Sequence, residues 1–130
     1  MASDERTVVH TENAPKAVGP YSQGIRSGGL LFSSGQIPID PRSGALIVGS
    51  IEEQTRRVME NLRAVLEAAG TNFDGVLRTT IYLTNLSDFA KVNSVYASYF
   101  PSAPPARSTV QVAALPLGAS IEIDLIAKTP

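Results

Sequence analysis

Residues 104–112 read PPARSTVQV, and the first long side chain on that alternating run is Arg107. A guanidinium fork at the root of a strand suits a carboxylate, which it grips through two parallel N–H donors. The two prolines ahead of it restrict the backbone and so fix the angle at which the side chain leaves. A second reactive group stands in ASIEIDLIAK, where Glu122 and Asp124 alternate with Ile121, Ile123 and Leu125. A carboxylate near a bound substrate can orient a water and accept its proton. Other chemistries find little material. Cysteine is absent and His10 is the single histidine, which leaves no thiolate chemistry and no two-histidine or cysteine metal site within one chain. His10 reads as a strand-edge residue. Neither GxGxxG nor GK[ST] occurs, so the glycines form no nucleotide fingerprint.

The chain that must position these groups has 130 residues, of which 43% are hydrophobic and 18% charged. That length and balance suit one domain spanning 1–130 with a real core. A net charge of −1 gives no electrostatic case for nucleic acid as a partner. No apolar run approaches a membrane span, and MASDERTVV lacks the apolar core of a signal peptide. A soluble, cytoplasmic protein is the expectation.

The helix predicted at 51–69 is strongly marked. Ser50 followed by Glu53 is a capping box, and Gly70 is a stop signal. Val58, Leu62, Val65, Leu66 and Ala69 form its apolar stripe, while Glu53/Arg57, Arg56/Glu60 and Arg63/Glu67 could pair across its wet side. A second helix at 87–100 has a Ser cap and the stripe Phe89, Val92, Tyr96, with Tyr99 or Phe100. Strands are predicted at 7–11, 22–27, 30–37, 76–84, 106–112 and 119–127, with long loops at 12–20 and 38–49. In the 76–84 strand, Leu77, Thr79, Ile81 and Leu83 should share one face. The order β-β-β-α-β-α-β-β describes an α+β domain: a six-stranded mixed sheet with two helices.

Two helices shield one face of such a sheet. The final strand alternates Ile121, Ile123 and Leu125 with Glu122, Asp124 and Ile126, so the other face keeps apolar content and invites self-association. On 106–112, the set Ala106, Ser108, Val110 and Val112 is expected to face the helices, leaving Arg107, Thr109 and Gln111 on the open face. If LPLG at 115–118 turns a hairpin, Glu122 stands opposite Gln111. It is then four residues, or roughly 13 Å, from Arg107. The two charges could meet only across subunits. From the residues alone, Arg107 could equally hold an interface ion pair or an anionic ligand.

ENAPKAVGPYSQG, LFSSGQIPIDPRSG, VNSVYASYF, PPARSTVQVAALP and IEIDLIA, in this order, resemble the RidA family of reactive-intermediate deaminases, the YjgF group. The likeness covers nearly the whole chain. It implies a chorismate-mutase-like fold, a homotrimer with three clefts between subunits, and no cofactor. It further implies hydrolysis of 2-enamino and 2-imino acids such as 2-aminoacrylate to 2-keto acids and ammonia, the activity of a 2-iminobutanoate/2-iminopropanoate deaminase. By position, Arg107 matches the arginine that grips the substrate carboxylate, and Glu122 the acid that positions water. Tyr21, Ser34 and Gly35 match cleft-lining residues, and Asn93 the asparagine near the arginine. Thr109, also assigned to the substrate site, stands where many members carry cysteine.

An imine carbon is already electrophilic, so orienting the acid and a water suffices for hydrolysis. Ser34 Oγ or the Gly35 amide could hold either a carboxylate oxygen or the departing nitrogen, and the sequence leaves that open. Tyr21 could lid the cleft, and Asn93 could orient Arg107. A non-catalytic 2-keto-acid-binding module would need Arg107 but not Glu122. An endoribonuclease or translation inhibitor is disfavoured by the acidic balance and the lack of a basic stripe.

Overall fold

A computed structural model describes residues 5–130; residues 1–4, and with them the start of the stretch read for a signal peptide, lie outside the described residues. The chain runs β1 (Thr7–Val9), β2 (Gly24–Ser27), β3 (Leu30–Ser33), α1 (Ile51–Ala68), β4 (Val76–Leu83), α2 (Phe89–Ala97), β5 (Ala106–Gln111) and β6 (Ile121–Lys128). All six strands join one mixed sheet in the order β1-β2-β3-β6-β4-β5.

α1 forms as its sequence signals require. Ser50 Oγ accepts from Glu53 N–H while the Glu53 carboxylate accepts from Ser50 N–H, a complete capping box. Gly70 ends the helix at φ +83°, a conformation that glycine adopts without a Cβ penalty. Val58, Met59, Leu62, Val65 and Leu66 are wholly buried against the sheet. The three predicted charge pairs do not form as such: Glu53 serves the cap, Arg57 Nε donates to Asn61 Oδ1, and Arg63 Nε donates to Glu60 Oε1 three residues back. Arg63 turns that way because its guanidinium also lies over the rings of Phe73 and Tyr99.

The core lies between the two helices and one face of the sheet, where Leu31, Ile81, Leu83, Ile121, Ile123 and Leu125 are buried. Phe32 and Val110 remain exposed, and Glu122, Asp124 and Ile126 half-buried, on the uncovered face. Among the described residues, no helix is long and apolar enough to cross a membrane.

Further expectations need correction. The strand predicted at 30–37 ends at Ser33, after which Gln36 makes a single bridge to Ile123. Leu77 is exposed because an irregularity between Val76 and Arg78 shifts the β4–β6 register, so Val76 takes the buried place. The Ser cap of the second helix is not made: Asn85 caps a 3-10 turn at Leu86–Asp88, and Ser87 donates its hydroxyl to Asn85.

The largest correction concerns β5 and β6, which are not a hairpin. β5 pairs parallel with β4, and β4 pairs antiparallel with β6, so β4 lies between them. The physical reason is the helix: β4, α2 and β5 form a crossover unit, and such units place their two strands side by side and parallel.

Candidate active site

That strand order decides where Arg107 points. Arg107 stands level with Thr79 of β4, and Thr79 is buried beneath α2. Cross-strand partners share a face. Arg107 therefore lies on the helix side of the edge strand β5, not on the open face expected from the small residues of the run. Ser108 and Val110 occupy the open face instead, paired with Thr80 and Tyr82.

The side of α2 next to β5 is built to receive the guanidinium. Arg107 Nη1 donates to Asn93 Oδ1 at 2.8 Å. The guanidinium carbon lies 5.3 Å from the Phe89 ring centre and 5.0 Å from that of Tyr96. Phe89, Asn93 and Tyr96 recur at intervals of four and three, so a single helical face supplies all three. Tyr96 is itself anchored, its hydroxyl 2.7 Å from Thr79 Oγ1. Burial pushes the Tyr96 hydroxyl above its ordinary pKa, so it stays neutral as a hydrogen-bonding group. Stacking and one hydrogen bond hold the fork while leaving other N–H donors for an anion. A hollow of about 460 Å³ opens here, walled by Tyr96, Ala97, Phe100, Pro104, Pro105 and Arg107. Thr109 lies two residues further along the same face, level with Ile81, its hydroxyl buried and unpaired among the described residues.

Glu122 belongs to a different place. It pairs with Tyr82 on the open face. Gly35 packs directly on it, and a Cβ at position 35 would run into the Glu122 carboxylate. Burial, and then the charge of Asp124, raise the Glu122 pKa above the ordinary glutamate value. Asp124 is likewise raised by burial, although it accepts from the Tyr82 hydroxyl at 3.0 Å. Ser34, next to Gly35, donates its hydroxyl to the Gln23 carbonyl at 3.1 Å. With its hydrogen committed there, Ser34 Oγ can meet a ligand only as an acceptor. Tyr21 is half-exposed in the loop before β2, its hydroxyl accepting from Val18 N–H.

Thus Arg107, Asn93 and Thr109 gather on one side of the sheet, and Glu122, Gly35 and Ser34 on the other. Sequence reasoning missed Phe89, Tyr96 and Thr79 as partners of Arg107. The helical spacing of Phe89, Asn93 and Tyr96 was a usable signal, but the two aromatics read as core. Among the described residues, no three His, Cys, Asp or Glu side chains gather as a metal cage.

Comparison with known proteins places this architecture. Residues 11–129 match the family described as endoribonuclease L-PSP. A RutC family protein of Pyrococcus horikoshii is 52% identical over 94% of this chain and 97% of its own. The 2-iminobutanoate/2-iminopropanoate deaminase of Mus musculus is 43% identical over 98% of this chain and 94% of its own. A crystal structure of a conserved Rid family protein from Yersinia pestis is 51% identical, with TM-score 0.94, covering 96% of this chain and 100% of that one.

Proposed function

This chain belongs to the endoribonuclease L-PSP family, the family of the Rid (YjgF-type) proteins, and from that premise we propose that it hydrolyses 2-imino acids and their enamine tautomers to 2-keto acids and ammonia. One observation supports the reading: the Arg107 guanidinium and the Glu122 carboxylate lie on opposite faces of one sheet, so neither face of a single chain holds both groups. A second copy that lays its Arg107-bearing edge over the open face would cover Phe32, Val110 and Ile126. It would also bring its Arg107 toward Glu122. Closed cyclic assembly repeats that contact, and three copies give three such clefts.

In the cleft, Arg107 takes the substrate carboxylate and so fixes the distance from the imine carbon to the opposite wall. Glu122 accepts a proton from water as the water oxygen bonds to that carbon, giving a carbinolamine. The carbinolamine nitrogen, already NH2 because the imine reacts as its iminium, takes that proton back from Glu122. The C–N bonding pair then leaves with ammonia, an oxygen lone pair forms C=O, and the hydroxyl proton passes to Glu122. Burial and Asp124 make Glu122 a stronger base than a solvated glutamate, which suits proton abstraction near neutral pH. Ser34 Oγ, an acceptor only, faces the nitrogen rather than the carboxylate. The Gly35 N–H, which meets no acceptor among the described residues, can donate to a carboxylate oxygen.

The test generates 2-aminoacrylate in situ with a serine dehydratase and traps the surviving imine with semicarbazide. Slower build-up of the imine-derived semicarbazone with the protein present, restored to the uncatalysed rate in Glu122→Gln, supports hydrolysis. Equal build-up with and without protein would leave a ligand-binding module.

A further inference from the structure

Gln23 is 2% exposed and uses its whole side-chain amide. Nε2 donates to the carbonyls of Thr11 (3.0 Å), Ala14 (3.3 Å) and Pro15 (2.9 Å), and Oε1 accepts from Thr11 N–H at 2.7 Å. Its main-chain carbonyl faces the other way and accepts from both the N–H (2.9 Å) and the hydroxyl of Ser34. The seven residues 16–22, which carry Tyr21, therefore form a loop tied at both ends by one amide. The same residue holds Ser34, beside the Gly35 that packs on Glu122. We propose that Gln23 is a positioning residue of the carboxylate half-site, the clamp that fixes the Tyr21 loop relative to the Ser34–Gly35–Glu122 wall. It touches no substrate. It sets the direction of the Ser34 hydroxyl and the distance between two walls of the cleft.

The clamp depends on an amide that donates. Gln23→Glu keeps the shape and the bond from Thr11 N–H, but turns a second anionic oxygen toward three carbonyls. Protonation restores one donor. The charged groups on the clamped stretch, His10, Glu12 and Lys16, are exposed, and His10 pairs with Glu12. Glu122 titrates on the neighbouring wall, so each rate is taken as a ratio to wild type at the same pH.

The proposal deepens the deaminase reading but uses it only for the kinetic readout. Hydrogen exchange, thermal unfolding and kcat are measured for Gln23→Glu and Gln23→Met between pH 5.5 and 8. At pH 8 both variants should exchange faster across 11–22, and kcat should fall on the order of tenfold to a hundredfold, as misplacement of a reacting wall does. The Gln23→Glu ratio should recover as pH falls, while that of Gln23→Met stays flat. Should either variant fail to assemble at pH 8, Gln23→Glu at pH 5.5 still gives the ratio. A flat Gln23→Glu ratio, wild-type kcat despite loosened exchange, or loss that only tracks the unfolded fraction would overturn the clamp. A wild-type protein without deaminase activity would sink the functional reading instead, and the exchange pattern alone would then decide.

Discussion

Arg107 and Glu122 lie on opposite faces of a single sheet, separated by the β4 strand and by three residues along the strand direction. The in-plane separation alone is on the order of 14 Å between Cα atoms. One chain cannot bring both to a small acid, so complementation is the direct test. Inactive Arg107→Ala and Glu122→Ala chains, mixed unfolded and refolded together, should recover activity in about a quarter of the clefts of a random closed ring. Light scattering should give about three times the 13.8 kDa chain mass. A stable monomer, or mixed assemblies no more active than their parents, would end the shared-cleft proposal.

Arg107→Lys keeps the charge but loses the fork and the stacking on Phe89 and Tyr96. Assembly mass should be unchanged. The rate should fall by roughly 30-fold to several thousand-fold, the effect of losing about 2–5 kcal/mol at a desolvated charge pair. Activity and mass measured on one sample separate this from a mere interface ion pair, which predicts loss only as the assembly dissociates.

Gly35→Ala places a methyl group against the end of a flexible side chain, not against backbone. The Glu122 carboxylate can swing away, so thermal stability should change little. Its placement should not survive, and kcat should fall on the order of tenfold to a hundredfold. Unaltered kcat would mean that Glu122 does not work from the place it occupies against Gly35.

Burial raises the pKa of Asp124 above its ordinary 3.8 and that of Glu122 above its ordinary 4.5. A raised acid binds more protons folded than unfolded across the window between its two values. These groups therefore stabilise the fold at acid pH, and that contribution is lost as pH rises through the raised values. Asp124→Asn removes the buried charge while its amide oxygen can still accept from Tyr82. Thermal unfolding should show a higher Tm for Asp124→Asn at pH 7, with the two curves converging toward the carboxylate range. A lower Tm at pH 7 would show that the Asp124 charge is compensated in the assembly.

α1 could be read from sequence to within a residue because its determinants are local: Ser50 with Glu53, the stripe from Val58 to Leu66, and Gly70. The alternation of Ile121, Ile123 and Leu125 with Glu122 and Asp124 likewise predicted which side of β6 is buried, since a strand reverses its face at every residue. The separation of Arg107 from Glu122 within one chain was expected too, but from a hairpin that does not form. It holds instead because β4 lies between their strands and the two side chains leave opposite faces. The face of Arg107 was not legible, because it depends on which strand lies beside β5. Taken alone, ARSTVQ offers two faces of similar polarity, and its parity is set by pairing with β4 through the α2 crossover. The cradle of Phe89, Asn93 and Tyr96 follows from that same long-range placement. Local capping and periodicity are written within a few residues of one another. Strand order and facing partners come from contacts between distant segments, and only the folded sheet decides them.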